Sequence, residues 1–311
     1  MDLMKLIIPN ALPPKAIAES LADALESRCP ALVEMLNARQ AKIQEWSIHD
    51  KGCTPSEGLE LLGTGYEAPS NEPLGAGLGP ARAGTAGEGE RVWIADFCSL
   101  IIGQERTAVV SLDYLDLTPS QSDALTASAH DLFTDPTSAI RFEPLQTGRW
   151  RIIGELPPPT RVISPNALHG RDVSDWWPMD PSWRQWRKLL NEIQMLWHDH
   201  PVNEARAQAG SPPVNGIWLY GGARTWTAKR PANERWLHNL GASALSGDWT
   251  RWLSDWKKIE GEVISISPDT EIVLTGEDKI IYLTPPKKVW WKSFFHRRDT
   301  NAWRNWWANQ D

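Results

Sequence analysis

Apolar residues fall along this chain in two spacings. Short unbroken runs bounded by proline, glycine or asparagine read as buried strands: Leu6 to Ile8, Arg91 to Phe97, Leu100 to Gly103, Thr107 to Leu112, Ala139 to Phe142, Trp150 to Ile153, Glu271 to Thr275 and Lys279 to Leu283. Trp46 to Ile48 is a further strand candidate. Ile217 to Tyr220, stopped by Gly221-Gly222, reads as a strand that returns the chain to the first sheet. Recurrence at three and four residues predicts helices instead. One runs from Lys15 to Glu26 with Ile17, Leu21 and Leu25 on one face, and a second, opened by Pro30, carries Leu32, Met35 and Leu36. A capping box at Thr118-Pro119-Ser120-Gln121 starts a third, to about Phe133. Ser182 caps a fourth to Asp199, striped with Trp183, Trp186, Leu190, Ile193 and Trp197, and Ser246 or Asp248 caps a fifth with Trp249, Trp252 and Trp256. Such stripes are core packing.

Between Gly63 and Gly89 the chain is loaded with glycine, alanine and proline and reads as a flexible loop or hinge. Gly75-Ala76-Gly77-Leu78-Gly79 lacks the preceding strand and following helix that a nucleotide-binding turn requires. Strands alternating with helices at both ends of the chain predict an α/β fold, and the strand-helix-strand pattern between them suits an inserted α+β domain.

Composition narrows the function classes. A chain of 311 residues has room for two domains. A net charge of -7 gives no global attraction to nucleic acid or to an anionic membrane. Cys29, Cys53 and Cys98 are odd in number and far apart, which indicates neither a disulfide framework nor a CxxC metal site. No apolar run approaches the ~20 residues of a membrane span, and a cytoplasmic protein is expected. Tryptophan is the anomaly, with 19 against 4 tyrosines and 5 phenylalanines. After Pro285-Pro286 the chain becomes basic and tryptophan-rich, with Trp303, Trp306 and Trp307 on one helical face. That tail either docks its indoles on the core, the favoured reading, or meets a protein partner; nucleic acid and membrane are disfavoured.

The stretch from His198 to Gly222 concentrates candidate chemistry. His200, Asn203 and Arg206 lie close enough in sequence to grip an anion or a carboxylate, or else Asn203 caps a short helix and Arg206 is solvated. His200-Pro201-Val202-Asn203, then Arg206, Gly210, Pro213, Asn215 and the following Ile-Trp-Leu strand resemble a signature of archaeal-type cofactor-independent phosphoglycerate mutases, of the alkaline phosphatase superfamily. In length and layout the chain is more similar to the bacterial RpfE-type regulatory proteins. Cys53-Thr54-Pro55-Ser56-Glu57-Gly58 resembles the mutase segment that holds the nucleophilic serine, which would make Ser56 that residue. Arg149, Arg151, His169 and Arg171 fall in segments similar to the mutases' substrate-handling lid.

The resemblance implies a reduced alkaline-phosphatase-like sheet flanked by helices, built from residues 1–88 and 214–311, with an α+β cap at 89–213 and the basic tail at 285–311. Phosphoryl transfer in that superfamily uses two metal ions held by aspartates and histidines. Here Asn10 stands where a family aspartate ends the first strand. From Gly216 onward the histidines are His238 and His296, and Glu277-Asp278 stands where an Asp-His pair is expected. The expectation is therefore a non-catalytic, phosphoglycerate mutase-like protein with a regulatory or ligand-binding role, no cofactor, and a small phosphorylated or carboxylated metabolite between cap and core. Ser56 then serves as a helix cap. Two alternatives stay open: an active mutase using Ser56 and two rearranged divalent ions, manganese or zinc, and an interaction module built on the tail.

Overall fold

A computed structural model describes residues 4–84, 89–104, 106–134, 140–154, 156–229, 231–285 and 302–307. The chain forms two compact units, Met1–Ser47 with Arg230–Asp311 and Ile48–Lys229. In chain order the first unit begins with strand β1 (Lys5–Ile8), helices α1 (Lys15–Arg28) and α2 (Pro30–Asn37), and strand β2 (Gln40–Glu45). The second unit follows with α3 (Ile48–Lys51), α4 (Pro55–Gly63), α5 (Leu78–Ala83), β3 (Arg91–Ile102), β4 (Thr107–Val110), α6 (Pro119–Ser128) and α7 (His130–Thr134). It continues through β5 (Ile140–Gln146), β6 (Arg149–Gly154), α8 (Arg184–His198), α9 (Pro201–Gln208) and β7 (Gly216–Arg224). The first unit is completed by β8 (Glu234–Trp236), α10 (Gly241–Leu245), α11 (Trp249–Ile264), β9 (Glu271–Thr275), β10 (Lys279–Thr284) and α12 (Ala302–Trp307). Each unit combines a sheet with helices, so the chain is a mixed α/β protein. None of the described helices is long and apolar enough to cross a membrane.

In the first unit the strand order is β2-β10-β9-β1-β8. β1 lies between two parallel neighbours, and β10 runs antiparallel to β9 and β2. Leu6 and Ile8 of β1, Ile272 and Leu274 of β9, and Ile281 and Leu283 of β10 share one core with α1, α2, α11 and α12. Asp248 starts α11 by accepting the Arg251 N–H at 2.9 Å, and the periodic Trp252, Trp256, Ile259 and Val263 then face the core. Trp303, Trp306 and Trp307 of α12 are buried in the same cluster, as their shared face predicts. The Trp307 indole donates to Ala18 O on α1 at 3.2 Å. The basic stretch at 286–301 lies outside the described residues.

Lys279, at the start of β10, is only 6% exposed and donates to Trp306 O at 3.3 Å. Burial lowers its pKa to about 8.

The second unit is built on β3, twelve residues long and paired antiparallel with β4, β6 and β7, with β5 beyond β6. The strand at Gly216–Arg224 therefore joins this sheet and not the first one. Nor does it stop at Gly221-Gly222: both glycines take positive φ, 88° and 93°, and carry the strand through an irregularity opposite Arg91 and Trp93. One part of the expected loop between Gly63 and Gly89, Leu74 to Ala83, is instead ordered as helix. Leu74–Gly77 forms a 3-10 turn that leads into α5, with Leu74 to Gly79 all buried. A Cβ on Gly79 would lie 1.9 Å from Val92 O, and one on Gly221 would lie 2.7 Å from Gly79 Cα. Glycine here lets a helix touch a sheet backbone to backbone. Pro80 is tolerated because it stands in the first turn, where its missing N–H has no helical acceptor.

The two units divide the chain at 47/48 and 229/230, where the expected domain borders lay at 88/89 and 213/214. Several expectations about single elements are corrected locally. Trp46 to Ile48 is no strand: the polar Gln40–Glu45 pairs with β10 as an exposed edge, and a short helix begins at Ile48. The separate strands at 91–97 and 100–103 are one, because Cys98 and Ser99 stay buried within it. The helix from Thr118 breaks at Ala129, and Ser182 lies in a 3-10 turn capped by Asp180 ahead of α8.

Two outcomes follow for stability. Gly79→Ala should destabilise the protein by about 2–4 kcal/mol, since backbone atoms must give way; urea unfolding checks this. Lys279 in an unfolded chain titrates near 10.4, so between pH 8 and that value the unfolded state binds more protons and stability rises with pH. Wild type should gain on the order of 3 kcal/mol over that range relative to Lys279→Met, read from paired unfolding curves.

Candidate functional site

The Ser56 segment enters the second unit as a helix N-terminus. Thr54 is the cap: its Oγ1 accepts the Glu57 N–H at 3.2 Å while Glu57 Oε2 accepts the Thr54 N–H at 3.0 Å. Pro55 takes the first helical position and Ser56 the second, its Oγ 3.2 Å from Thr54 Oγ1. Ser56 is thus not the cap it was expected to be.

Glu57 is buried, and its carboxylate is fully engaged. Oε2 also accepts the Ser164 hydroxyl at 2.6 Å and the Thr54 hydroxyl at 3.2 Å. Oε1 accepts Arg82 at 2.6 Å and Asn166 Nδ2 at 3.2 Å. Arg82 further donates to the Tyr220 hydroxyl at 2.5 Å, and that hydroxyl donates to Asp96 Oδ2 at 2.9 Å. Asp96, in the middle of β3, receives a two-pronged grip from Arg149, Nε to Oδ1 at 2.7 Å and a terminal nitrogen to Oδ2 at 2.8 Å. Asn166 bridges to Asp113 at 2.8 Å, and Arg149 reaches the same carboxylate at 3.5 Å. Elements far apart in sequence meet here because Asp96 pairs with Arg149 across β3 and β6 and with Trp218 across β3 and β7, which places these side chains on one face.

Burial opposes the Arg82 charge, but Tyr220, Glu57 and Asp96 outweigh it and hold the guanidinium protonated well above its ordinary range. Arg149 is raised likewise against burial, by Tyr220 and Asp96. Burial pushes the Tyr220 phenol far up, so it remains a neutral donor. His169 is lowered by burial; its Nδ1 accepts the Ser111 N–H at 3.4 Å and its ring lies 4.1 Å from that of Tyr114.

Of the residues singled out from sequence, Ser56 and Arg149 come together around this network, and His169 lies in the same loop as Ser164 and Asn166. Arg151 pairs instead with Glu90 at 2.9 Å and Glu143 at 3.7 Å. Arg171 is exposed after that loop. The His200, Asn203 and Arg206 group is elsewhere and holds chain to chain. His200 caps α9 through Val202 N, and Asn203 makes three bonds, to Trp197 O and to both backbone groups of Val214. Arg206 donates to Pro212 O, Gln121 and Leu115 O. Glu57, Arg82, Asp96 and Asp113 were missed. The available signal was Asp96 itself, a lone carboxylate inside an apolar run.

Among the described residues no group of three or more His, Cys, Asp or Glu is placed to hold a metal ion. In the first unit Asn10, at φ 56°, donates its N–H to Thr275 Oγ1 at 3.2 Å, while its carbonyl accepts the Trp252 indole at 2.9 Å. Among the described residues, the donors around Asn10 do not make a two-metal site.

No protein-family model and no curated protein matches the sequence. Among solved structures, the PH0037 protein from Pyrococcus horikoshii aligns over 92% of this chain and 88% of its own, at 13% identity and a TM-score of 0.45. A cofactor-independent phosphoglycerate mutase from Thermoplasma acidophilum aligns over 92% of this chain and 90% of its own, at 14% identity and a TM-score of 0.32.

The network sets a stability test. Asp96→Ala leaves Arg149 and Arg82 buried without their shared carboxylate and should cost about 3–5 kcal/mol. Adding Arg149→Met should recover part of that loss, so the double variant is less destabilised than the sum of the singles in chemical denaturation.

Proposed function

We propose that the chain is a phosphoglycerate mutase-like protein without turnover of its own, acting in regulation through binding. One observation carries this reading. Around the serine in the nucleophile-like segment, both arginines of the network, Arg82 and Arg149, are already paired with carboxylates of the same unit. A serine nucleophile needs a base or a metal to activate it, and a phosphoryl group needs uncommitted cations. Glu57 accepts five hydrogen bonds, so it is a poor base for Ser56. Arg82 and Arg149 each donate to a buried carboxylate of the network.

The arrangement favours a site converted from chemistry to structure. Ser56 remains at a helix N-terminus, where a phosphate would be welcome in principle. Its hydroxyl, however, has Thr54 as its neighbour, and no histidine among the described residues is hydrogen-bonded to it.

The test is metal content and phosphoglycerate mutase turnover on one purified sample of the full chain, with manganese, cobalt and zinc each added back. No turnover above the Ser56→Ala background is expected with any metal. Metal-dependent turnover that disappears in Ser56→Ala would make the chain an active mutase and overturn the reading.

A further inference from the structure

A cavity of about 630 Å³ opens in the second unit beside β7, between that strand, the start of α8 and the segments 157–162 and 174–182. Its size suits a small organic ligand. None of the Ser56 network lines it. Six tryptophans do: Trp93, Trp176, Trp177, Trp183, Trp186 and Trp218. Their planes cross, Trp93 against Trp183 at 77° and Trp177 against Trp218 at 56°. Crossed rings enclose a rounded group from several sides, whereas a flat heterocycle is best held between parallel faces.

The electrostatics point to the sign of that group. Indole faces carry negative potential and attract cations. The chain already places one there, since the Arg161 guanidinium lies over the Trp176 ring at 5.3 Å. Asp180 is committed to the Ser182 N–H and hydroxyl, and Arg187, beside it, donates to the carbonyls of Pro178 and Asp180. Asp175, exposed and next to Trp176, lines the cavity and has no hydrogen-bond or ion-pair partner among the described residues. Asp175 is thus the rim carboxylate that no described residue pairs with.

We propose that this cavity binds a small organic cation with a rounded, methylated ammonium head. The tryptophan faces enclose the head, Asp175 is its counter-ion, and Arg161 is the internal cation that the ligand displaces from Trp176. The site is separate from Ser56 and does not depend on whether that serine turns over substrate. A phosphorylated or carboxylated ligand would require the reverse: Arg161 as its anchor and Asp175 as a repulsive neighbour.

Isothermal titration of the full chain with choline, with its uncharged isostere 3,3-dimethylbutan-1-ol and with 3-phosphoglycerate separates these cases. Choline should bind saturably and at least about tenfold more tightly than the alcohol, because only the charge differs. Asp175→Asn should weaken choline several-fold, and Arg161→Ala should bind it at least as tightly as wild type. Both positions are exposed, and far-ultraviolet circular dichroism verifies that the variants fold. Equal binding of the alcohol, no binding of choline, or choline binding unchanged by Asp175→Asn would each overturn the assignment. So would binding of 3-phosphoglycerate at this cavity that is lost in Arg161→Ala.

Discussion

A carboxylate in the interior of a buried twelve-residue strand has to be matched or it cannot stay charged, and Asp96 is that carboxylate. The second unit is arranged around meeting this demand. β6 delivers Arg149 in register as a two-pronged donor, β7 delivers the Tyr220 hydroxyl, and α5 delivers Arg82 behind it. Arg82 in turn requires a second carboxylate, which α4 supplies as Glu57. The loop at 163–171 closes the set with Ser164 and Asn166. Low local polarity strengthens each of these bonds and penalises the loss of any one. Gly79 and Gly221 belong to the same scheme, because only their bare backbones allow α5 close enough to β3 and β7 for Arg82 to reach.

Much of the fold was legible from the sequence where apolar periodicity was long and uniform. The first unit's β1, α1, α2, α11, β9 and β10 follow their patterns closely, and the tryptophans of α12 face inward as their spacing implies. Legibility failed where local pattern and tertiary partner disagree. β2 is polar and exposed, so only its pairing with β10 reveals a strand. The glycine-rich stretch before β3 has the composition of a loop, yet its small residues serve close packing. At Thr54 the signal was present and unread: Thr54-Pro55-Ser56-Glu57 is the same kind of capping box as Thr118-Pro119-Ser120-Gln121.

The candidate site was half legible. Ser56, Arg149 and the His169 loop were singled out through resemblance and do gather in one region. Their charge partners were not foreseen, because a pair such as Asp96 with Arg149 is set by strand register across more than fifty residues. His200, Asn203 and Arg206 looked like a grip for a ligand, and their side chains hold the chain itself: His200 caps α9, while Asn203 and Arg206 fasten the 209–215 turn to α8 and α6. Short polar motifs cannot distinguish those two uses, since a backbone carbonyl and a ligand oxygen ask the same geometry of a donor.

The central claim is that the arginines near Ser56 are locked into internal pairs and are not held ready for a phosphorylated substrate. Nitrogen-15 magnetic resonance of the Arg149 Nε–H group tests it most directly, since that proton points at Asp96. A slowly exchanging signal, unmoved by 3-phosphoglycerate with manganese, is the expected result. A rapidly exchanging Nε–H, or one that shifts on titration with 3-phosphoglycerate, would contradict it.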